Sequence, residues 1–214
     1  GRLGTIQSDG SVTFTDEFTV NQEVESTQSQ PQVIQLADGR LLFTWHSVDP
    51  DVDGYNSGIS APVGTIQGDG SVTFTDEFTV NQEVESRQTH PQVTQLADGR
   101  VLFTWDSDDP DVDGDLAGIS GRIGTVQTDG SVTFTDEFIV NQEVERWQEM
   151  PQVTQLADGR VLFTWMSEDP NVDPSANGDN YGISGRFGTI QGDGSITFTD
   201  EFTVNQEVDR KSVV

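Results

Sequence analysis

Asp49-Pro50-Asp51-Val52-Asp53-Gly54 sets three carboxylates at alternate positions ahead of a glycine, and the run returns as Asp109-Pro110-Asp111-Val112-Asp113-Gly114. A hard divalent cation takes six to eight oxygens, and acids at the first, third and fifth positions before a turn-making glycine can converge on one ion. The spacing therefore predicts Ca2+ ligation by Asp49, Asp51 and Asp53 and by Asp109, Asp111 and Asp113. A third copy reads Asp169-Pro170-Asn171-Val172-Asp173, with Pro174 to Asn177 inserted before Gly178. Having lost one charge and its adjacent glycine, the set Asp169, Asn171 and Asp173 is expected to bind more weakly or in a different geometry. The alternative is a solvated acidic loop that binds nothing.

A second group stands out because its members differ where the surrounding sequence repeats. Thr27, Arg87 and Trp147 occupy one repeated position, His46, Asp106 and Met166 another, and Tyr55 and Tyr181 lie in the variable loops. Tyr55, Trp147 and Tyr181 are candidate platforms for sugar rings, beside Asp and Asn oxygens; drift of an unconstrained surface is the other reading.

For covalent catalysis the inventory is thin. His46 and His90 are the only histidines, in different units at non-equivalent positions, and there is no cysteine. His-based triads and His-rich zinc sites are thereby disfavoured. Two carboxylates suffice for a glycosidase, but acids are too abundant here to single out a pair. The expectation is that the chain is not an enzyme.

These residues are positioned by a repeat. Gly-Thr-Ile/Val-Gln starts at Gly4, Gly64, Gly124 and Gly188, giving spacings of 60, 60 and 64 residues. The reading is a partial unit over 1–30, full units over 31–90 and 91–150, and a third over 151–214 that carries the insertion, all in one repeat domain. Short Val-, Ile-, Thr-, Phe- and Trp-rich runs between turn residues predict strands and no helix. Strand a is expected at Gln32 to Leu36 and strand b at Arg40 to Ser47, joined by Ala37-Asp38-Gly39. Strand c runs from Gly58 to Gln67 and strand d from Val72 to Asn81, with a break near Thr75-Asp76. Four antiparallel strands repeated in this way predict an all-β, propeller-like array of four-stranded blades, about 3.5 of them. Trp45, Trp105 and Trp165 are expected between blades, with Phe43, Phe103 and Phe163 two residues earlier on the same side.

Charge narrows the partners. Against 37 acidic residues stand 10 basic ones, a formal net charge of -27. Phosphate backbones and anionic lipid are repelled by such a field, so neither nucleic acid nor direct membrane insertion is expected. High salt or abundant divalent ions would screen it, which points to an extracellular or cell-surface setting. Beginning at Gly1, the sequence reads as a fragment or processed product.

The order Glu17-Phe18-Thr19-Val20-Asn21, Gln30-Pro31-Gln32-Val33, Leu36-Ala37-Asp38-Gly39-Arg40 and Phe43-Thr44-Trp45-His46-Ser47, with its copies, resembles repeats of large bacterial secreted and surface proteins of the adhesin-like, calcium-associated kind. The acidic run is also similar to the start of an EF-hand loop and to calcium loops of integrin-type propellers. It departs from them at Ser60 and Ser120, where an EF-hand has its bidentate glutamate, and at Ser57 and Ala117, where the propeller loop has aspartate. Water would complete such shells, with dissociation constants of roughly 0.1–1 mM. The resemblance implies a non-catalytic, calcium-associated scaffold for structure or adhesion, able to assemble with itself or to meet surface glycans. A lectin-like propeller is the alternative, and a sialidase-like glycoside hydrolase stands behind it; Ser8-Asp9-Gly10 does not meet the sialidase Asp-box spacing.

Overall fold

Asp-Gly pairs set the hairpins. Gly39, Gly99 and Gly159 take φ near +90°, as do Gly70, Gly130 and Gly194, so each turn uses the backbone region that only glycine enters at little cost. In the first of these, Gly39 N–H donates to Leu36 O at 2.9 Å and Leu36 N–H to Arg40 O at 2.8 Å, while Asp38 Oδ1 accepts Arg40 N–H at 3.0 Å.

The computed structural model describes residues 1–22, 27–48, 57–82, 86–108, 117–142, 147–168 and 182–205. A hairpin of β1 (Gly4–Ile6) and β2 (Val12–Phe14) comes first. The first blade contains β3 (Gln28–Gln35), β4 (Leu41–Ser47), β5 (Gly58–Ala61), β6 (Val63–Ile66), β7 (Val72–Phe74) and β8 (Phe78–Thr79). The second contains β9 (Gln88–Gln95), β10 (Val101–Ser107), β11 (Gly118–Val126), β12 (Val132–Phe134) and β13 (Phe138–Ile139). The third contains β14 (Gln148–Gln155), β15 (Val161–Ser167), β16 (Gly182–Ile190), β17 (Ile196–Phe198) and β18 (Phe202–Thr203). Each sheet is antiparallel in the order a, b, c, d, with strand d split in two as the sequence predicts. The described residues form an all-β propeller-like array of three blades and a half-blade.

Two strands depart from the sequence reading. Strand a begins at Gln28, not Gln32, because the ladder is carried past Pro31 by a bulge: pairing runs Ser29↔His46 and then Gln32↔Thr44. Strand c of the first blade is broken at Pro62, which has no N–H to give a ladder, whereas Arg122 and Arg186 at that place leave β11 and β16 whole.

Strand a of each blade packs against strand a of the next, so these strands face the axis. Between blades the core is aromatic. Trp45, Trp105 and Trp165 are 4, 0 and 1 % exposed, and Phe103 and Phe163 are fully buried, as the sequence predicts. Trp165 Nε1–H donates to Gln148 Oε1 at 2.6 Å.

Polar clamps repeat across each junction. Ala37 N–H donates to Gln95 Oε1 at 2.8 Å and Ala97 N–H to Gln155 Oε1 at 2.7 Å. Arg122 donates from Nε to Thr135 O (2.7 Å) within its blade and from Nη1 to Val80 O (2.9 Å) in the blade before, with its guanidinium 4.6 Å over the Phe134 ring. Hydrogen bonds made by a charged donor in a half-buried place contribute about 2 kcal/mol. Arg122→Ala is therefore expected to lower the unfolding free energy by about 2 kcal/mol in chemical denaturation. Arg87→Ala, an exposed control, should stay within about 0.5 kcal/mol.

Candidate active site at one pole of the array

The bulge on strand a places a non-glycine residue at positive φ in each of the three blades. Gln30, His90 and Met150 have φ of 55°, 50° and 56°, each just before a proline. Side chains rarely occupy this region without glycine's freedom, and a bulge there re-aims the side chain. The bulges are linked in series around the axis. His90 N–H donates to Gln30 Oε1 at 2.8 Å, and Met150 N–H donates to Asp106 Oδ1 at 3.1 Å.

Across the a–b ladder, position 29 faces 46 in the first blade, Thr89 faces Asp106 in the second, and Glu149 faces Met166 in the third. Two residues further out, Asp108 N–H donates to Arg87 O and Glu168 N–H to Trp147 O, both at 3.0 Å. From Pro31 to Trp45 the three units differ only at 34/94/154 and 41/101/161. By contrast, positions 27/87/147 read Thr, Arg, Trp; 29/89/149 read Ser, Thr, Glu; 30/90/150 read Gln, His, Met; 46/106/166 read His, Asp, Met; and 48/108/168 read Val, Asp, Glu. The register gathers these chemically divergent positions at one end of the inner hairpins.

Asp106 is the hub. It is 3 % exposed. Its Oδ2 accepts from Thr89 Oγ1–H at 3.0 Å and lies 2.6 Å from His90 Nδ1, while Oδ1 takes the Met150 N–H of the next blade. The hydrogen bond to Asp106 raises the pKa of His90 above its ordinary value, against the opposing effect of burial. Glu149 is raised chiefly by burial, then by the negative charge of Asp106. Asp108 is also raised by burial, but Arg87, with Nη1 3.8 Å away, pulls it back toward ionisation. In the first blade, burial holds His46 below its usual value, with Arg87 and His90 adding to the effect, and its Nδ1 lies 2.9 Å from Ser29 Oγ.

The sign of the His90 shift fixes a pH dependence. A histidine raised by a partner contributes stability that is present in full below its unfolded value, about 6.5, and is lost as pH rises through the folded value. Stability of the wild type relative to His90→Gln is expected to fall as pH goes from about 6 to 9; a flat difference in denaturation midpoints would show that the His90–Asp106 charge pair contributes nothing.

Of the residues singled out in sequence, Asp49, Asp51, Asp53, Asp109, Asp111, Asp113, Asp169, Asn171 and Asp173 lie outside the described residues, as do Tyr55 and Tyr181. Among the described residues no group of three or more His, Asp or Glu is set to hold a metal ion. Trp147 is described: it is 37 % exposed and leads into β14, two residues before Glu149. The grouping of His90 with Asp106 and Glu149 escaped the sequence reading. Its signal was there in the unit-by-unit differences, which fall at paired places once the bulge is allowed for.

No family model matches the sequence, and no curated protein matches it. Solved structures do match in fold. An α-L-arabinofuranosidase of Fusarium graminearum, of glycoside hydrolase family GH93 and complexed with arabinobiose, superposes with a TM-score of 0.59 at 13 % identity, covering 89 % of this chain and 58 % of its own. An endo-arabinase from Bacteroides thetaiotaomicron gives 0.52 at 14 %, covering 96 % and 80 %. A thermostable family-43 glycoside hydrolase gives 0.51 at 10 %, covering 98 % and 73 %. The chain thus spans little more than half the length of the arabinofuranosidase. At these identities the likeness is one of fold.

It corrects the sequence reading nonetheless. The matching structures named above are glycoside hydrolases and not adhesin-like calcium-associated proteins, so the resemblance to that repeat family does not stand. With it go the non-catalytic calcium scaffold and the expectation of no enzyme. One ground for that expectation, histidines in different units at non-equivalent positions, gives way at the pole, where the three hairpins present different side chains to one another.

Proposed function

We propose that the chain is a glycoside hydrolase-type propeller acting on a neutral, arabinose-containing polysaccharide, with its reactive centre at the Arg87–His90–Asp106–Asp108–Glu149 pole. One observation carries the reading: most of the divergent positions of the inner hairpins meet at one end of the array, and two partly exposed carboxylates, Asp108 and Glu149, are gathered there around buried Asp106. Glycosidic cleavage needs such a pair, one acid that keeps its proton and one carboxylate that has lost it.

Glu149, raised by burial and by the charge of Asp106, is assigned as the general acid that protonates the leaving oxygen. Asp108, raised by burial but with the Arg87 guanidinium beside it opposing that rise, is assigned as the base that takes a proton from the attacking water. Asp106 is too deeply buried to reach a sugar. It is a positioning residue, orienting His90 and tying the second blade to the third. Trp147 offers an aromatic face two residues from Glu149. The net charge of -27 disfavours uronate-rich or sulfated glycans. The fold's arabinan-directed neighbours support the sugar class, and a secreted or surface location suits a polysaccharide substrate.

Incubation with linear arabinan, arabino-oligosaccharides and an anionic control such as polygalacturonate, read by chromatography of released sugars, tests the assignment. Release from arabinan and not from the anionic polymer is expected. Saturable binding of arabino-oligosaccharides without any release would convert the reading to a lectin.

A further inference from the structure

The geometry points to a docking site on the first blade for one kind of partner, an a–b hairpin of this same repeat supplied by a further unit. The half-blade of β1 and β2 is built as the outer half of every other blade. Gly4 pairs with Phe14 as Gly64 pairs with Phe74, and Arg2 Nε–H donates to Thr15 O at 2.9 Å as Arg122 does to Thr135 O. In complete blades the other edge of strand c is taken by strand b, through Leu41↔Gly64, Val101↔Gly124 and Val161↔Gly188. Among the described residues no strand lies along that edge of β1.

The face behind it is equally specific. At the junction of the first and second blades, Ile34, Leu36 and Leu42 of the preceding a–b hairpin pack in one cluster with Val93, Phe103 and Trp105. Ahead of the first blade the matching side chains, Val33, Phe43 and Trp45, instead line a pocket of about 400 Å³. Val33 is 55 % exposed and Phe14 58 %, apolar surface that interior blades cover at least in part. Hydrogen-bonding groups repeat as well. Gln95 and Gln155 each accept the N–H of Ala37 or Ala97 from the hairpin turn before them, and Gln35 stands at the corresponding place of the first blade. The edge, the apolar face and the amide acceptor specify two antiparallel strands closed by Leu-Ala-Asp-Gly-Arg, with apolar residues where Leu36 and Leu42 stand. Addition of strands to an open sheet edge draws affinity from main-chain bonds and specificity from alternate side chains.

A synthetic peptide spanning Gln88–Ser107 is the probe, added to the 214-residue chain and followed by hydrogen–deuterium exchange. At about 100 times its dissociation constant, exchange through local opening at Arg2–Ile6 should slow about 100-fold. A peptide carrying Leu96→Lys and Leu102→Lys should leave it unchanged. Three results would overturn the inference: no saturable effect, equal protection by the Lys peptide, or protection confined to the third blade around the exposed Ile183 and Val204. A dimer of the chain whose β1 edge is already protected, and which the peptide does not displace, would also refute it by making a second copy the occupant. The exchange readout does not require turnover, so it is unaffected by the outcome of the hydrolysis assay.

Discussion

Glu149→Gln should lower hydrolysis of arabinan by roughly 10²–10⁴-fold, the span that a positioned general acid contributes. Glutamine keeps the shape and exposure of the side chain but has no proton to give the departing oxygen. An aryl arabinoside with a good leaving group needs no such proton, so its hydrolysis should fall far less. Asp108→Asn removes the base and should depress both substrates alike. The pH profile follows from the two assigned roles. An acid raised by burial stays protonated above the usual carboxylate range, and activity falls as pH rises through its value; at low pH activity falls as Asp108 takes up a proton. The basic limb should vanish in Glu149→Gln, whereas a merely structural role for Glu149 would leave the profile's shape intact. Equal losses on the natural and the aryl substrate would remove Glu149 from the acid role.

Phe103→Ala and Phe43→Ala should differ widely in cost although both sit in Leu-Phe-Thr-Trp. Phe103 is 1 % exposed, 5.8 Å from Phe134 and packed in a cluster with Trp105, Val101 and Leu36. Truncating such a ring leaves a cavity in a body that cannot collapse into it, which costs about 3–5 kcal/mol. Phe43 is only half-buried and borders the open pocket, so its truncation leaves no sealed void and should cost less than half as much. Denaturant titration of the two variants reads this directly. Equal losses would mean that the first blade is covered in solution, which the exchange experiment with the hairpin peptide would then be expected to show as pre-existing protection of β1.

The parts of the fold that sequence exposes are those written locally. Asp38-Gly39 and Asp69-Gly70 announce turns because positive φ is a property of one residue, and Phe43 and Trp45 announce a buried side because strands alternate. The start of strand a was not legible, since a bulge at Gln30 reads as a stop when followed by Pro31. The candidate site was illegible for a related reason. His90 and Asp106 are 16 residues apart, and only the hairpin register, offset by that bulge, brings Nδ1 to Oδ2. Acids that are frequent everywhere give no reason to prefer Asp106, Asp108 or Glu149, and the Asp-rich loops that the spacing reads as calcium sites lie outside the described residues. What distinguishes these carboxylates is burial and neighbours, neither of which a composition reports.

The near-identity of the blade junctions bears on how the chain reaches this arrangement. Where Leu96 and Leu102 can seat on the third blade, Leu36 and Leu42 fit almost as well, so the native order of partners is separated from its permutations by little energy. A renaturing chain therefore meets traps in which a hairpin skips a neighbour, and such misordered species expose edges that recruit other molecules. Vectorial emergence from the ribosome removes most of these choices, because each blade is paired before its rival has been made. Yield after dilution from denaturant should accordingly fall with protein concentration far more steeply than yield from cells.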